Sequence, residues 1–256
     1  NKDCQLRQRL FNVVLDCTNA DIEISGEGQF VAETNDGRTE TASGLRVIVP
    51  SGRTLTFASG FASKYISALS DEYGFRCYTG GGTIRFCGKN TMSGTMDVYQ
   101  ATFEALAVDA TDEVNYFGTG LMRLGAGGVL KYIGAGERTA RELSLQSIGS
   151  TTSCALEHSG TGPWTVANFM FASSTANGTL TLRGERDDAE MSSVLANSAG
   201  GKSLSVTKEN GGTWTLSAVN TYTGATTVNG GVLKVAATGS IAMSSELAVK
   251  GGLVVF

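Results

Sequence analysis

The sequence predicts an all-β chain wound into a parallel β-helix, a solenoid of stacked coils, and three observations carry that prediction. A short phrase recurs, a glycine followed by four or five residues in which every second one is apolar. The corners between these runs are built from Gly, Asn, Ser and Thr, in a chain of 256 residues with 34 Gly and only 2 Pro. No sustained helical period competes with the alternation. Alternation buries one strand face and leaves the other solvated, and Gly and Asn accept the positive φ that tight corners demand.

The phrase can be followed along the chain. Gly82-Thr-Ile-Arg-Phe86, Gly94-Thr-Met-Asp-Val98 and Gly128-Val-Leu-Lys-Tyr132 come first. Gly178-Thr-Leu-Thr-Leu182, Gly212-Thr-Trp-Thr-Leu216 and Gly231-Val-Leu-Lys-Val235 continue it. A sandwich or up-and-down barrel also uses short alternating strands. The self-similar unit and the scarcity of proline favour the solenoid. At roughly 20–25 residues per coil, a common repeat length, the chain makes about ten coils.

One segment departs from the rhythm. Phe61, Tyr65, Ile66 and Leu69 fall at helical spacing, so residues 60–79 read as a short helical insertion that leaves the solenoid. Insertions often carry recognition, and this one concentrates Lys64, Tyr65, Tyr73, Phe75, Arg76 and Tyr78, an amphipathic set suited to a contact surface. The alternative is a flap covering the core.

Composition narrows the chemistry. With 24 acidic and 20 basic residues, there is no basic stripe of the kind that nucleic acid requires. No stretch approaches the ~18 apolar residues of a membrane span. Five cysteines stand at 4, 17, 77, 87 and 154 without paired C-x-x-C spacing, which excludes the usual zinc pattern. Cys77–Cys87 is the favoured disulfide, in an oxidising compartment; buried free thiols are the other reading.

The single histidine, His158, would have to serve any Ser-His-carboxylate triad or histidine metal site. No G-x-S-x-G elbow accompanies it, and it reads as a surface residue near a corner. Asp71-Glu72, Asp109 with Asp112-Glu113, and Asp187-Asp188 are the acidic clusters. A glycosidase needs two carboxylates roughly 5–10 Å apart across one cleft, which neighbouring coils could supply. These acids fall in loops and do not recur at one rung position, so a solvated role is expected. The glycine runs at 80–82 and 125–128 match neither phosphate-loop pattern. No catalytic residue, metal ligand or cofactor is expected.

The run from Leu204 to Val235 is the most distinctive. Its centre, Gly211-Gly-Thr-Trp-Thr-Leu-Ser-Ala-Val-Asn-Thr-Tyr-Thr-Gly-Ala-Thr-Thr-Val-Asn-Gly-Gly231, resembles the autotransporter-associated β-strand repeat of secreted bacterial passenger proteins. Gly127 to Leu145 and Gly178 to Asn197 resemble the strands that lead into such a repeat. The likeness covers Gly125 to Phe256 and is specific only near Trp214–Gly231. It implies a right-handed parallel β-helix, exported across the inner membrane and secreted or displayed at the bacterial surface, often by a C-terminal outer-membrane barrel that this chain does not contain.

The expected role is a non-catalytic stalk or adhesin-like module that binds a glycan or a host-surface protein, with specificity in insertions. Self-association is a further expectation. The alternative is a carbohydrate-active β-helix enzyme, a polysaccharide lyase or glycosidase. Because Asn1 is preceded by no export signal and Gly251–Phe256 reads as an uncapped strand, a segment of a longer passenger is expected.

Overall fold

The computed structural model describes residues 5–6, 14–25, 29–32, 46–58, 60–63, 75–88, 90, 95–109, 116–117, 119–147 and 152–256. Among them the regular elements are all β-strands, and the strand pairs are parallel. Parallel pairing between strands far apart in sequence, with each coil returning to the same sheets, is a parallel β-helix and not a closed barrel. Residues Asn1–Arg123 form one unit and Leu124–Phe256 a second.

The first unit contains β1 (Gln5–Leu6), β2 (Val14–Asp16), β3 (Ile22–Ile24), β4 (Gln29–Ala32), β5 (Arg46–Ile48) and β6 (Thr54–Phe57). It continues with β7 (Gly60–Ser63), β8 (Phe75–Thr79), β9 (Thr83–Phe86), β10 (Met96–Tyr99) and β11 (Thr102–Ala105), and β12 (Met122–Gly125) spans the boundary. Its sheets run β1-β4-β7, β2-β5-β8-β10 and β3-β6-β9-β11. Thr54-Leu-Thr-Phe57 and Thr83-Ile-Arg-Phe86 bury every second side chain. The in-register pair Phe57 and Phe86 stacks with ring centroids 5.4 Å apart, and Phe103 follows at 6.0 Å. An aromatic column therefore runs along the axis of this unit.

The second unit contains β13 (Gly128–Tyr132), β14 (Glu137–Thr139), β15 (Leu143–Leu145), β16 (Ser153–His158), β17 (Trp164–Val166), β18 (Phe169–Phe171) and β19 (Gly178–Gly184). After these come β20 (Ala189–Met191), β21 (Leu204–Lys208), β22 (Thr213–Leu216), β23 (Thr226–Val228), β24 (Val232–Val235), β25 (Leu247–Val249) and β26 (Leu253–Val255). One sheet runs β13-β16-β19-β21-β23-β25, a second β14-β17-β20-β22-β24-β26, and β15 pairs with β18 in a third. Inward columns follow the register. Leu130, Leu156, Leu182, Lys208 and Val228 form one, and Trp164, Ala189, Trp214, Leu233 and Val254 another.

The expected insertion needs correction at both ends. Gly60–Ser63 pairs in register with Gln29–Ala32, Phe61 against Phe30. Phe75–Thr79 pairs with β5 and β10. Backbone ladder bonds to neighbouring coils hold these two ends in the sheets as strands. Residues 64–74 lie outside the described residues.

Candidate functional site

Of the surface expected from the sequence, Lys64, Tyr65 and Tyr73 lie outside the described residues. Phe75, Arg76 and Tyr78 sit on β8, where only the backbone is described. The same holds for Cys77, while Cys87 is an exposed free thiol just past β9. Asp71, Glu72, Asp112 and Glu113 are likewise outside the described residues.

The densest chemistry in the described structure gathers at one edge of the second unit, where β16, β19 and β21 turn toward β17, β20 and β22. His158 ends β16 on the inward parity set by Cys154 and Leu156, and it is completely buried. This corrects the surface position expected from its sequence neighbours. Its ring sits 5.7 Å from Tyr132 and 6.1 Å from Trp164. Nε2 lies 2.8 Å from Asp188 Oδ1, and the Gly160 amide donates to Nδ1 at 3.4 Å. That arrangement fixes the neutral tautomer with hydrogen on Nε2. Burial pushes the imidazole below its ordinary pKa, opposed by Asp188 and reinforced by the Arg186 charge.

Burial works to raise the Asp188 carboxyl, but the hydrogen bonds from His158 and Arg186 outweigh it and hold the group below the usual carboxylate range. Arg186 Nη2 reaches Asp188 Oδ2 at 3.3 Å. Room for the histidine comes from Gly184, in register with it on β19. Gly184 has φ +122°, and a Cβ there would collide with the His158 carbonyl. Over this gap Trp214 donates its indole N–H to the Arg183 carbonyl at 3.0 Å.

Sequence reasoning passed over Lys208. It is fully buried at the end of β21, in register with Leu182 and Val228. Its Nζ donates to the carbonyls of Glu209 at 2.5 Å, Asn210 at 3.1 Å and Gly230 at 3.4 Å. Burial lowers its pKa to about 8, against the pull of Glu185, Asp187 and Glu209. The signal was present in Leu204-Ser-Val-Thr-Lys208, whose alternation places position 208 inward.

The remaining charges brace one coil against the next. Glu157 accepts from Arg183 at 2.8 Å and lies 3.5 Å from Lys131, all three at one register position. Asp187 accepts from the Thr213 hydroxyl at 2.9 Å, and Glu185 from the Asn210 side chain at 3.2 Å. In the first unit Arg123 bridges to Asp97 at 2.7 Å and Arg85 to Glu104 at 3.1 Å. No cluster of three or more His, Cys, Asp or Glu suited to a metal ion occurs among the described residues. The Ser159 hydroxyl donates to Glu157 rather than to His158, and both imidazole nitrogens are already engaged. The arrangement therefore braces coils and does not assemble a triad.

Stacked parallel coils with inward aliphatic and aromatic columns define a β-helical repeat protein. The passenger-associated-transport-repeat family matches residues 78–105 and 206–235. An autotransporter adhesin, BmaC of Brucella suis biovar 1 (strain 1330), is 34% identical over 244 residues, covering 92% of this chain. The chain spans only 6% of that protein's length. No solved structure matches the chain. The family and adhesin matches support an autotransporter passenger-type repeat protein, secreted or displayed at the cell surface.

Proposed function

We propose that this segment is a non-catalytic, adhesin-like stretch of passenger, a stiff rod that holds a binding surface away from the cell. The observation that carries the reading is the direction in which polar side chains are used. Glu157, Asp187, Glu185 and Asp188 each bond to a residue of a neighbouring coil, which favours stacking over convergence on a cleft. Identity to an adhesin along nearly the whole chain supports the same reading. The partner is a surface glycan or host-surface protein, met by Lys64, Tyr65, Tyr73, Phe75, Arg76 and Tyr78.

The test is binding of the purified segment to immobilised glycans and to intact host cells, with polysaccharide turnover followed in parallel. Saturable binding without turnover is the expected result. Turnover of any polysaccharide would overturn the non-catalytic reading, and absence of all binding would reduce the segment to a spacer.

A further inference from the structure

Two short stretches of this chain, far apart in sequence, change the length of the coil in the same way. Ile84 pairs back to Leu55 and forward to Phe103, offsets of 29 and then 19 residues. Trp214 pairs back to Ala189 and forward to Leu233, offsets of 25 and then 19. On the adjoining sheet Thr207 pairs with Thr181 and then Thr227, 26 and then 20 residues away. Both shortenings fall inside the matched repeats, 78–105 and 206–235.

Six residues beyond Ile84 and six beyond Trp214 stand Asn90 and Asn220, which are 0% and 2% exposed. A buried asparagine at the same place in two independent copies needs a reason, because an amide without partners is costly to bury. Asn220 shows it. Its Oδ1 accepts from the Leu195 amide at 2.8 Å, in the coil before. Its Nδ2 donates to the Ala218 carbonyl in its own coil and to the Ser240 carbonyl in the coil after, both at 3.0 Å. The Asn220 backbone N–H also donates to Ser240. In the first unit Asn90 Nδ2 donates in the same sense, to the Tyr116 carbonyl further along the chain.

We propose that the repeat is a coil-shortening joint whose buried asparagine locks the turn by bonding to successive coils. Shortening a coil draws the chain across the corner between β22 and β23, where the backbone leaves its ladders. Asparagine supplies one carbonyl oxygen and two N–H donors on a short stem, and here an amide donor and two carbonyls receive them. Aspartate would lack the donors, and leucine would lack both. At the opposite corner Lys208 joins the same coils through Gly230. The joint sets the cross-section of the solenoid and is independent of what the passenger binds.

The experiment is amide hydrogen exchange on the whole segment, with Asn220→Asp and Asn220→Leu beside the wild type. The Leu195 amide is expected to be protected in the wild type. It should exchange at least about tenfold faster in both variants, with the Leu156 amide unchanged. A second arm introduces Thr207→Cys with Thr227→Cys and follows the disulfide by peptide mass mapping. The pair should cross-link readily with Asn220 present and several-fold less in either variant. Fast exchange at Leu195 in the wild type overturns the proposal, and this needs no variant to fold. Unchanged protection and cross-linking in both variants overturn it equally.

Discussion

Buried against the stacked rings of Tyr132 and Trp164, His158 stays neutral where an unfolded chain would take up a proton. Its folded pKa is depressed, so the stability it protects is fully present above the ordinary value near 6.5. That stability is lost as pH falls from there through the folded value. As the single histidine, it makes the effect attributable: the wild-type melting temperature should drop as pH falls below about 6.5, and a His158→Phe variant should lose that drop. Lys208 works at the other end of the scale. Its folded pKa of about 8 lies below the ordinary 10.5, so the unfolded chain holds the proton longer and stability rises with pH between those values. The melting temperature of the wild type relative to Lys208→Met should climb over that window, and a flat difference would contradict the buried ammonium. Both residues were legible in the parity of their strands: Leu204-Ser-Val-Thr-Lys208 alternates strictly, and Cys154, Leu156 and His158 keep one parity although Ala155 between them is also buried. Their polarity argued for the surface and concealed them; only the corner carbonyls and Asp188, supplied by other coils or the following turn, explain their burial.

At the scale of elements, β19 divides cleanly into buried and half-buried positions, while β13 and β16 keep the same inward parity and bury Val129 and Ala155 as well. Leu156 touches a leucine in the coil on either side, so Leu156→Ala should cost about 2–5 kcal/mol in denaturant unfolding. Thr181→Ala on the outward face should stay within roughly 0.5 kcal/mol. Gly184→Ala, which places a methyl against the His158 carbonyl, should destabilise as strongly as the core truncation. These strands were readable because a period of two survives in any local window. The ends of the expected insertion were not, because Gly60–Ser63 and Phe75–Thr79 owe their strand state to distant partners at 29–32 and 46–48. Cys87 is an exposed free thiol, so thiol titration of the exported, unreduced protein should find it reactive; a blocked Cys87 would restore the expected pairing with Cys77.

At the scale of the whole molecule, each coil contacts chiefly its neighbours, so stability within a unit accumulates coil by coil. The solenoid architecture was legible because such a fold writes itself as repetition. The asparagine joints were harder to see, since their meaning lies in a change of register that no single strand displays. The column Trp164, Ala189, Trp214 adds a constraint of another kind. The two indoles meet edge to face, centroids 5.6 Å apart, across a coil that contributes only an alanine. Excise the coil bearing Ala189 from the gene, and Trp214 would land on Trp164 while Lys208 would land on Leu156. Repeat genes ordinarily grow and shrink by single units. In this stretch heredity must keep the small coil between the two large ones, so the neighbouring coils are not interchangeable copies but an ordered set.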